Sequence, residues 1–408
     1  MTATTKKVWL GRLQRKSNLL LCLNLPSVFL LGLGICLFQF PVSAQTATTG
    51  ATLSFPLKYV EMGASSLSSI IIPGKQEVKF RKEPDFGKDK VLRRALKIGS
   101  GKDDYIGFAV NLTSRTLYLD LNQNLDLTDD PQGIHKGQGG GGMALFRNVR
   151  LNLHKNGVDR SYLLDPFYFY GRDSCYIAIR SSYRGEIELT GRKWKLAVQD
   201  NLDGDINPQD RFSITPVAGN AEANRDLPAY SAMPAAKSLF LGGHQYQLSF
   251  VFGTGPESSP LTANFKEITS DLGELVLDGQ FIRRLVLEGA ALVILDPPTR
   301  PIRLPVDKYR IQAIYLQSAP GKPMISGNAS TIPQFSVITG TPYHLKIGWP
   351  LESSVKAAAS GNKLQLSYFL KGAGGEQYSL SDSNRSRPPR FAIYKGNRQL
   401  AAGNFEFG

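Results

Sequence analysis

An all-β, multi-domain protein is the fold class this chain predicts, and three observations predict it. Apolar and polar residues alternate along most of the chain, which is the period of a half-buried strand. Glycine (40) and proline (24) are plentiful, as many turns require. Helical periodicity is nearly absent, and the best short candidate, Ser231–Leu239, carries Pro234 inside it. With 408 residues, 42% apolar and 20% charged, the chain is long enough for two or three cores and too apolar to be disordered. Strands separated by Gly, Pro, Asn and Asp clusters imply sandwich or barrel units.

The order of elements begins with a leader. Lys6, Lys7, Arg12, Arg15 and Lys16 form a positive start, an apolar stretch runs from Leu19 to Phe40, and Val42-Ser43-Ala44 offers small residues for cleavage. Residues 1–44 therefore read as a signal peptide, with an uncleaved N-terminal membrane anchor as the alternative. No later stretch is long and apolar enough to predict a transmembrane span. The first β unit, 45–216, holds Thr116–Leu121, Val149–His154 and Tyr176–Arg180 as strands and Gly137–Gly142 as a loop. A polar, Ala-rich linker, 217–237, leads to a β-sandwich unit at 238–318. Tyr246–Phe252 is a strand there, and Arg284–Gly289 with Ala291–Asp296 reads as a hairpin. A Gly/Pro/Ser-rich linker, 319–333, precedes a last unit at 334–408 with strands at Lys363–Leu370, Arg390–Tyr394 and Gln399–Phe407.

Two short resemblances accompany this division. Arg303-Leu-Pro-Val-Asp-Lys-Tyr-Arg-Ile311 resembles the leucine-proline, turn, tyrosine step of exported transthyretin-like or carboxypeptidase-regulatory sandwiches. The strand rhythm of 334–408 resembles an immunoglobulin-like sandwich, although no Cys–Trp–Cys set is present.

The residues that point to chemistry lie in two acidic loops. In Asp120–Asp130 an oxygen-bearing side chain falls on every second residue: Asp120, Asn122, Asn124, Asp126, Thr128 and Asp130. Hard cations need several oxygens converging on one point, and a tight acidic loop supplies them. Shifting the sequence by 77 residues lays Arg115–Asp126 over Arg192–Asp203, with Asn124-Leu-Asp126 matching Asn201-Leu-Asp203. In that register Asp120 falls on Ala197. Both segments read as a strand running into an acidic loop, an internal repeat. The second loop, Gln199–Asp210, resembles an EF-hand or dockerin calcium loop. With Gln199 as position one, Asn201 is third, Asp203 fifth, Gly204 sixth, Asn207 ninth and Asp210 twelfth. The first loop lacks the glycine and the closing acid in that frame. The resemblance implies calcium as a structural ligand, held by Asp120, Asn122, Asn124, Asp126 and Asp130 in one loop and by Asn201, Asp203, Asp205, Asn207 and Asp210 in the other. The alternative is that Asn and Asp serve only as turn residues. Four acids in one short loop repel one another unless a cation or basic neighbours offset them.

Other chemistries find less support. His135, His154, His244 and His344 form no zinc motif, and no nucleophile elbow appears. Cys175 lies beyond the leader in a strand-like setting and reads as a buried apolar residue. Asp165, Asp173, Glu186 and Glu188, near Phe167, Tyr168, Phe169, Tyr170 and Tyr183, are the carboxylates that a polysaccharide hydrolase would use. The leader holds five positive residues and no acid, so its removal lowers the formal charge from +14 to +9. A basic exported chain is drawn to anionic envelope polymers, and no nucleic-acid motif appears. The expected function is that of an exported, non-catalytic envelope or extracellular protein. Calcium stiffens its loops, and it binds a glycan or protein ligand, with the Tyr162–Tyr183 stretch as a candidate face. The alternative is a secreted hydrolase with paired carboxylates.

Overall fold

A computed structural model describes residues 50–405 apart from 62–68, 74–76, 100, 102–103, 141, 156–157, 171–173, 218–232, 254–260, 320–321, 323, 362 and 381–387. The expected leader and most of the 217–237 linker lie outside the described residues. The described chain is all-β; its one helical element is a single 3₁₀ turn at Pro131–Gly133. No helix among the described residues is long and apolar enough to cross a membrane.

Three large hydrophobic cores organise the strands. The first is a sandwich. Its four-stranded sheet is built from Val91–Lys97, Tyr105–Asn111, Thr116–Leu119 and Ile134–Lys136. Its five-stranded sheet is built from Ser69–Pro73, Ser174–Ile179, Val158–Phe169, Met143–Leu145 and Val149–Lys155. Alternate residues of both face inward: Leu96, Ile106, Phe108, Leu117 and Leu119 from one, Val149, Leu151, Leu164, Cys175 and Ile177 from the other. Cys175 is thus a core residue, and burial pushes its thiol up to about 12, where it is inert as a nucleophile at neutral pH.

The second core belongs to a long continuous sheet. Ser181–Leu189, Arg192–Gln199 and Arg211–Pro216 form an antiparallel meander. Thr52–Glu61 joins it to later sequence: its first part, from Thr52 to Leu57, pairs with Leu261–Ile268, and its last part, from Lys58 to Glu61, with Ser181–Leu189. Trp194 and Phe212 consequently share a core with Tyr246 and Phe265. The expected division at 217–237 is therefore not a division between cores. A strand near the start of the described chain bridges it, and no local pattern announces a pairing over some 200 residues.

The third core lies under a three-stranded sheet of Ile302–Pro305, Leu272–Leu277 and Tyr343–Leu345. It combines Phe240, Leu285 and Leu287 with Phe335, Leu345 and Tyr378. The last two expected units thus contribute to one sandwich. The expected linker 319–333 contains a strand, Ile325–Asn328, paired with Asp307–Leu316 and Gln377–Leu380. The Leu304-Pro305 step is closed by Tyr309, fully buried, whose hydroxyl donates to the Pro305 carbonyl at 2.6 Å. The short helix expected at Ser231–Leu239 is not formed in its described part. Met233–Pro234 and Ser238–Leu241 are strands, because Pro234 removes a donor from any helix and the buried run Leu239–Leu241 completes a sheet.

Backbone approach in the third core is tight at Gly279. A Cβ there would sit 1.6 Å from the Ile347 carbonyl oxygen. Backbone cannot yield as a side chain does, so Gly279→Ala is expected to cost at least ~3 kcal/mol, in the range of the strongest single-site effects. Urea denaturation of the purified variant measures it. A cost under ~1 kcal/mol would show that the loop slides freely.

Candidate metal loop and aromatic ladder

The first acidic loop joins the last two strands of the four-stranded sheet, and the second joins the last two strands of the Ser181–Pro216 meander. Both contain the same tripeptide geometry. Asn124 accepts from the Asp126 N–H at 2.6 Å and Asn201 from the Asp203 N–H at 3.0 Å. The intervening leucines, Leu125 and Leu202, are both left-handed, with φ of 65° and 80°. Asp126 then accepts from the Thr128 N–H and Asp203 from the Asp205 N–H. At these three residues the 77-residue register is the geometric one.

The anchoring acids follow a different register. Asp130 accepts from the N–H of Leu121 and Asp210 from that of Asn201, each nine residues back. Asp120 and Asp200 each accept from the N–H four residues on, at Asn124 and Gly204. The counterpart of Asp120 is therefore Asp200, not Ala197. Gln199 is no ligand position either: it is buried, and its amide donates to the Ile179 and Ser181 carbonyls at 2.9 Å. A count starting at Gln199 places the wrong residue first, and Asp200 is the acid that it passes over.

The two loops differ in how their charge is met. The first is strapped by the segment before the four-stranded sheet. The Arg81 N–H donates to the Leu125 carbonyl, the Arg81 guanidinium to the Asn124 carbonyl, and Lys82 pairs with Asp126 at 3.4 Å. Hydrogen bonds from Thr128, then Lys82, hold the Asp126 carboxyl below its ordinary range. Asn124 also donates to Asp129 at 2.7 Å, while Asn122 caps the Asn124 N–H. Burial pushes Asp120 and Asp130 up, against the hydrogen bonds they accept. In this loop one carboxylate, that of Asp126, has a basic partner in Lys82, and Arg81 serves backbone carbonyls.

The second loop brings Asp200, Asp203 and Asp210 together, with one carboxylate oxygen of each within 4.8 Å of the others. Among the described residues this is the sole group of three or more such acids. Asp210 is fully buried and accepts from the Asn201 and Asn207 N–H groups at 2.7 and 2.6 Å. Asp200 accepts from the Leu202 N–H at 2.8 Å and from the Tyr162 hydroxyl at 2.6 Å. Asp203 takes the Asn207 amide at 2.7 Å. Asn201 and Asn207 direct their own oxygens to backbone N–H groups of the turn, and Asp205 stands exposed outside the cluster. Of the five residues expected in this loop, the structure gathers Asp203 and Asp210 and adds Asp200.

Burial dominates the electrostatics here. It pushes Asp200 up to about 6 and Asp210 up to about 8, each further raised by the neighbouring acids. Arg160 is the nearest cation, its Nη1 4.0 Å from Asp200 and its guanidinium 3.8 Å over the Phe252 ring. Its Nε and Nη1 have no hydrogen-bond partner among the described residues. Arg160 thus faces the cluster from one side, at the limit of ion-pair distance. The loop also sits between cores: Leu202 is fully buried in the first, and Ile206 packs against the second.

The described acids considered for hydrolysis are engaged elsewhere. Asp165 is buried, accepts from the Asn148 N–H and pairs with Arg180. Glu186 and Glu188 are exposed and lie opposite Lys195 and Lys193 on the neighbouring strand. Asp173 lies outside the described residues. The aromatic stretch divides by strand parity. Tyr162, Tyr168 and Tyr183 point inward and are buried. Phe167 and Phe169 point outward, and the register places Leu145, Phe167, Tyr176 and Ile71 in one row across four strands. Phe167 and Tyr176 stack at 5.2 Å and 10°, with Phe169 edge-on to both, and Ile71 is 59% exposed. Period-two parity was the signal for this ladder, whereas nothing local tied Tyr162 or Arg160 to Asp200. No family model, curated protein or solved structure matches the chain, so the chemistry of loop and ladder is argued from their geometry.

Proposed function

We propose that this is an exported, non-catalytic binding protein of the cell envelope or extracellular space, which presents an aromatic ladder to a glycan and stiffens its scaffold with calcium. The observation that carries the reading is the row Leu145–Phe167–Tyr176–Ile71 on the outer face of the first sandwich. Stacked, partly exposed aromatic rings on a rigid sheet offer apolar surface at low entropic cost, which suits the apolar faces of sugar rings. The formal charge of +9 after leader removal favours an acidic glycan.

Calcium belongs to the second loop in this reading. Asp200, Asp203 and Asp210 supply hard carboxylate oxygens, and a carboxylate oxygen that accepts one N–H retains a second lone pair for a cation. A bound divalent cation would neutralise the excess charge between the first two cores. In the first loop Lys82 pairs with Asp126 and Arg81 straps the backbone at Asn124, so this reading assigns it the part of a structural turn.

Isothermal titration with polygalacturonate, and with a neutral soluble glucan, tests the ladder. The wild type should bind the acidic polymer, and Phe167→Ala with Tyr176→Ala should weaken binding at least tenfold with little change in melting temperature. If the double variant binds as the wild type does, or the wild type binds neither polymer, the glycan reading fails.

A further inference from the structure

The geometry points to an oxyanion site beside Asp296, where Arg192 and Arg283 hold a carboxylate, sulfate or phosphate group between them. Three arginines from two strands meet at this residue. Arg284 donates to one carboxylate oxygen of Asp296 at 2.9 Å and Arg283 to the other. Arg192 donates to the Asp296 backbone carbonyl at 2.6 Å. One carboxylate therefore serves two guanidinium groups, and the third meets only a carbonyl. Arg284 is buried and its second Nη donates to the Ile214 carbonyl, so its part is structural. Arg192 and Arg283 stand differently. Both are partly exposed, the Arg283 side chain by 30%. Among the described residues their Nε and Nη2 groups take no protein acceptor, and none of these atoms is among the buried ones left without one. They are open to solvent.

Both groups are held in place. Ile282 pairs with Leu316, and Arg284 with the adjacent Tyr315, so Arg283 is the extra residue of a β-bulge. Strict alternation would send Arg283 and Arg284 to opposite faces, and the bulge turns both toward Asp296. The Arg192 guanidinium lies 4.5 Å from the centre of the Trp194 ring, and its Nη1 bond to Asp296 joins residues 104 apart in sequence. Stacking and that bond fix the plane of the fork. A fork fixed before binding loses little entropy when an oxyanion takes two parallel N–H groups from it. Asp296 is the carboxylate shared by Arg283 and Arg284, and Arg192 has no carboxylate partner among the described residues. Positive charge in excess beside an apolar core attracts an anion more strongly than the same charge in water.

This chemistry suits a free oxyanion and the carboxylate of an acidic glycan alike. The site does not rest on the aromatic ladder, which lies on the first sandwich, so each stands or falls separately.

Isothermal titration at low salt, with sodium sulfate and with monomeric galacturonate, tests the site. The wild type should bind sulfate with a dissociation constant on the order of 10⁻³ M. Sulfate binding alone assigns a free anion, and binding of galacturonate as well assigns a glycan carboxylate. Arg192→Gln and Arg283→Gln should each weaken binding about tenfold, as loss of a charge-assisted bond does. Arg192→Lys keeps the charge but not the fork, so its affinity should fall between those of the wild type and Arg192→Gln. Phe167→Ala with Tyr176→Ala should leave sulfate binding unchanged. A wild type that binds neither anion at ~10⁻² M, arginine variants that bind as the wild type does, or loss of sulfate binding in the ladder variant would each overturn the proposal.

Discussion

Asp296→Ala is expected to destabilise the protein by about 3–5 kcal/mol, among the largest costs of any single side-chain change here. Asp296 is buried, and it accepts from Arg284 at 2.9 Å and from Arg283. Arg284 is 1% exposed, and its other Nη donates to the Ile214 carbonyl at 2.9 Å. Arg284 alternates with Val286, which faces the second core, so the guanidinium is confined on the same side. Removing Asp296 deletes the carboxylate that accepts from this buried cation, and desolvation then dominates. The same logic predicts that replacing both members by apolar residues, Arg284→Met with Asp296→Leu, recovers most of the loss, because the desolvation penalty of the pair disappears with the pair. Guanidinium denaturation of the two variants measures both costs. A double variant as unstable as Asp296→Ala would mean that the Ile214 bond, and not the buried charge, sets the stability.

Strands were legible in the sequence where one face is wet. Lys363–Lys371, Arg390–Lys395 and His244–Phe252 lie within about a residue or two of their expected bounds, and in His244–Phe252 the sequence alternation matches alternating burial, Tyr246 and Leu248 buried between more exposed neighbours. The hairpin expected over Arg284–Asp296 also forms, as Ile282–Glu288 with Leu292–Leu295. Partnership between distant strands was not legible. Thr52–Glu61 alternates like any other strand, and nothing in its own residues names Leu261–Ile268 as a neighbour. The candidate site shows the same divide. The shared Asn-Leu-Asp turn could be read, since those side chains bond their own backbone. The convergence of Asp200 with Asp203 and Asp210 could not. It depends on Gln199 being consumed as a strand residue by the Ile179 and Ser181 carbonyls, and on Tyr162 arriving from another sheet.

Calcium is expected to raise the melting temperature by an amount that grows with pH, and Asp200→Asn is expected to abolish that rise. Burial holds Asp200 at about 6 and Asp210 at about 8, both above the ordinary aspartate value. A carboxyl whose folded value is raised contributes stability that is fully present below about pH 4 and is lost as pH rises through the folded value. The metal-free protein should therefore lose stability from about pH 4 to about pH 8 through these two groups. Calcium binds the deprotonated forms, so its effect runs the other way and is largest at the alkaline end. With a dissociation constant on the order of 10⁻⁴ M, as in extracellular modules, and about a hundredfold excess of calcium, the gain is about 2.7 kcal/mol, or roughly 5 °C. Asp200→Asn is the discriminating variant because it alters charge and little else. The amide oxygen still accepts from the Leu202 and Gly204 N–H groups, and its nitrogen donates to a Tyr162 hydroxyl that rotates to accept. With one carboxylate fewer, the metal-free variant should melt at or above the wild type at pH 8, whereas loss of a merely structural cap would lower it. Differential scanning calorimetry with calcium and with chelator, at pH 5 and pH 8, separates the two. A calcium shift that survives in Asp200→Asn, or a wild type with no shift and no metal by direct elemental analysis, would leave the loop a turn between two cores.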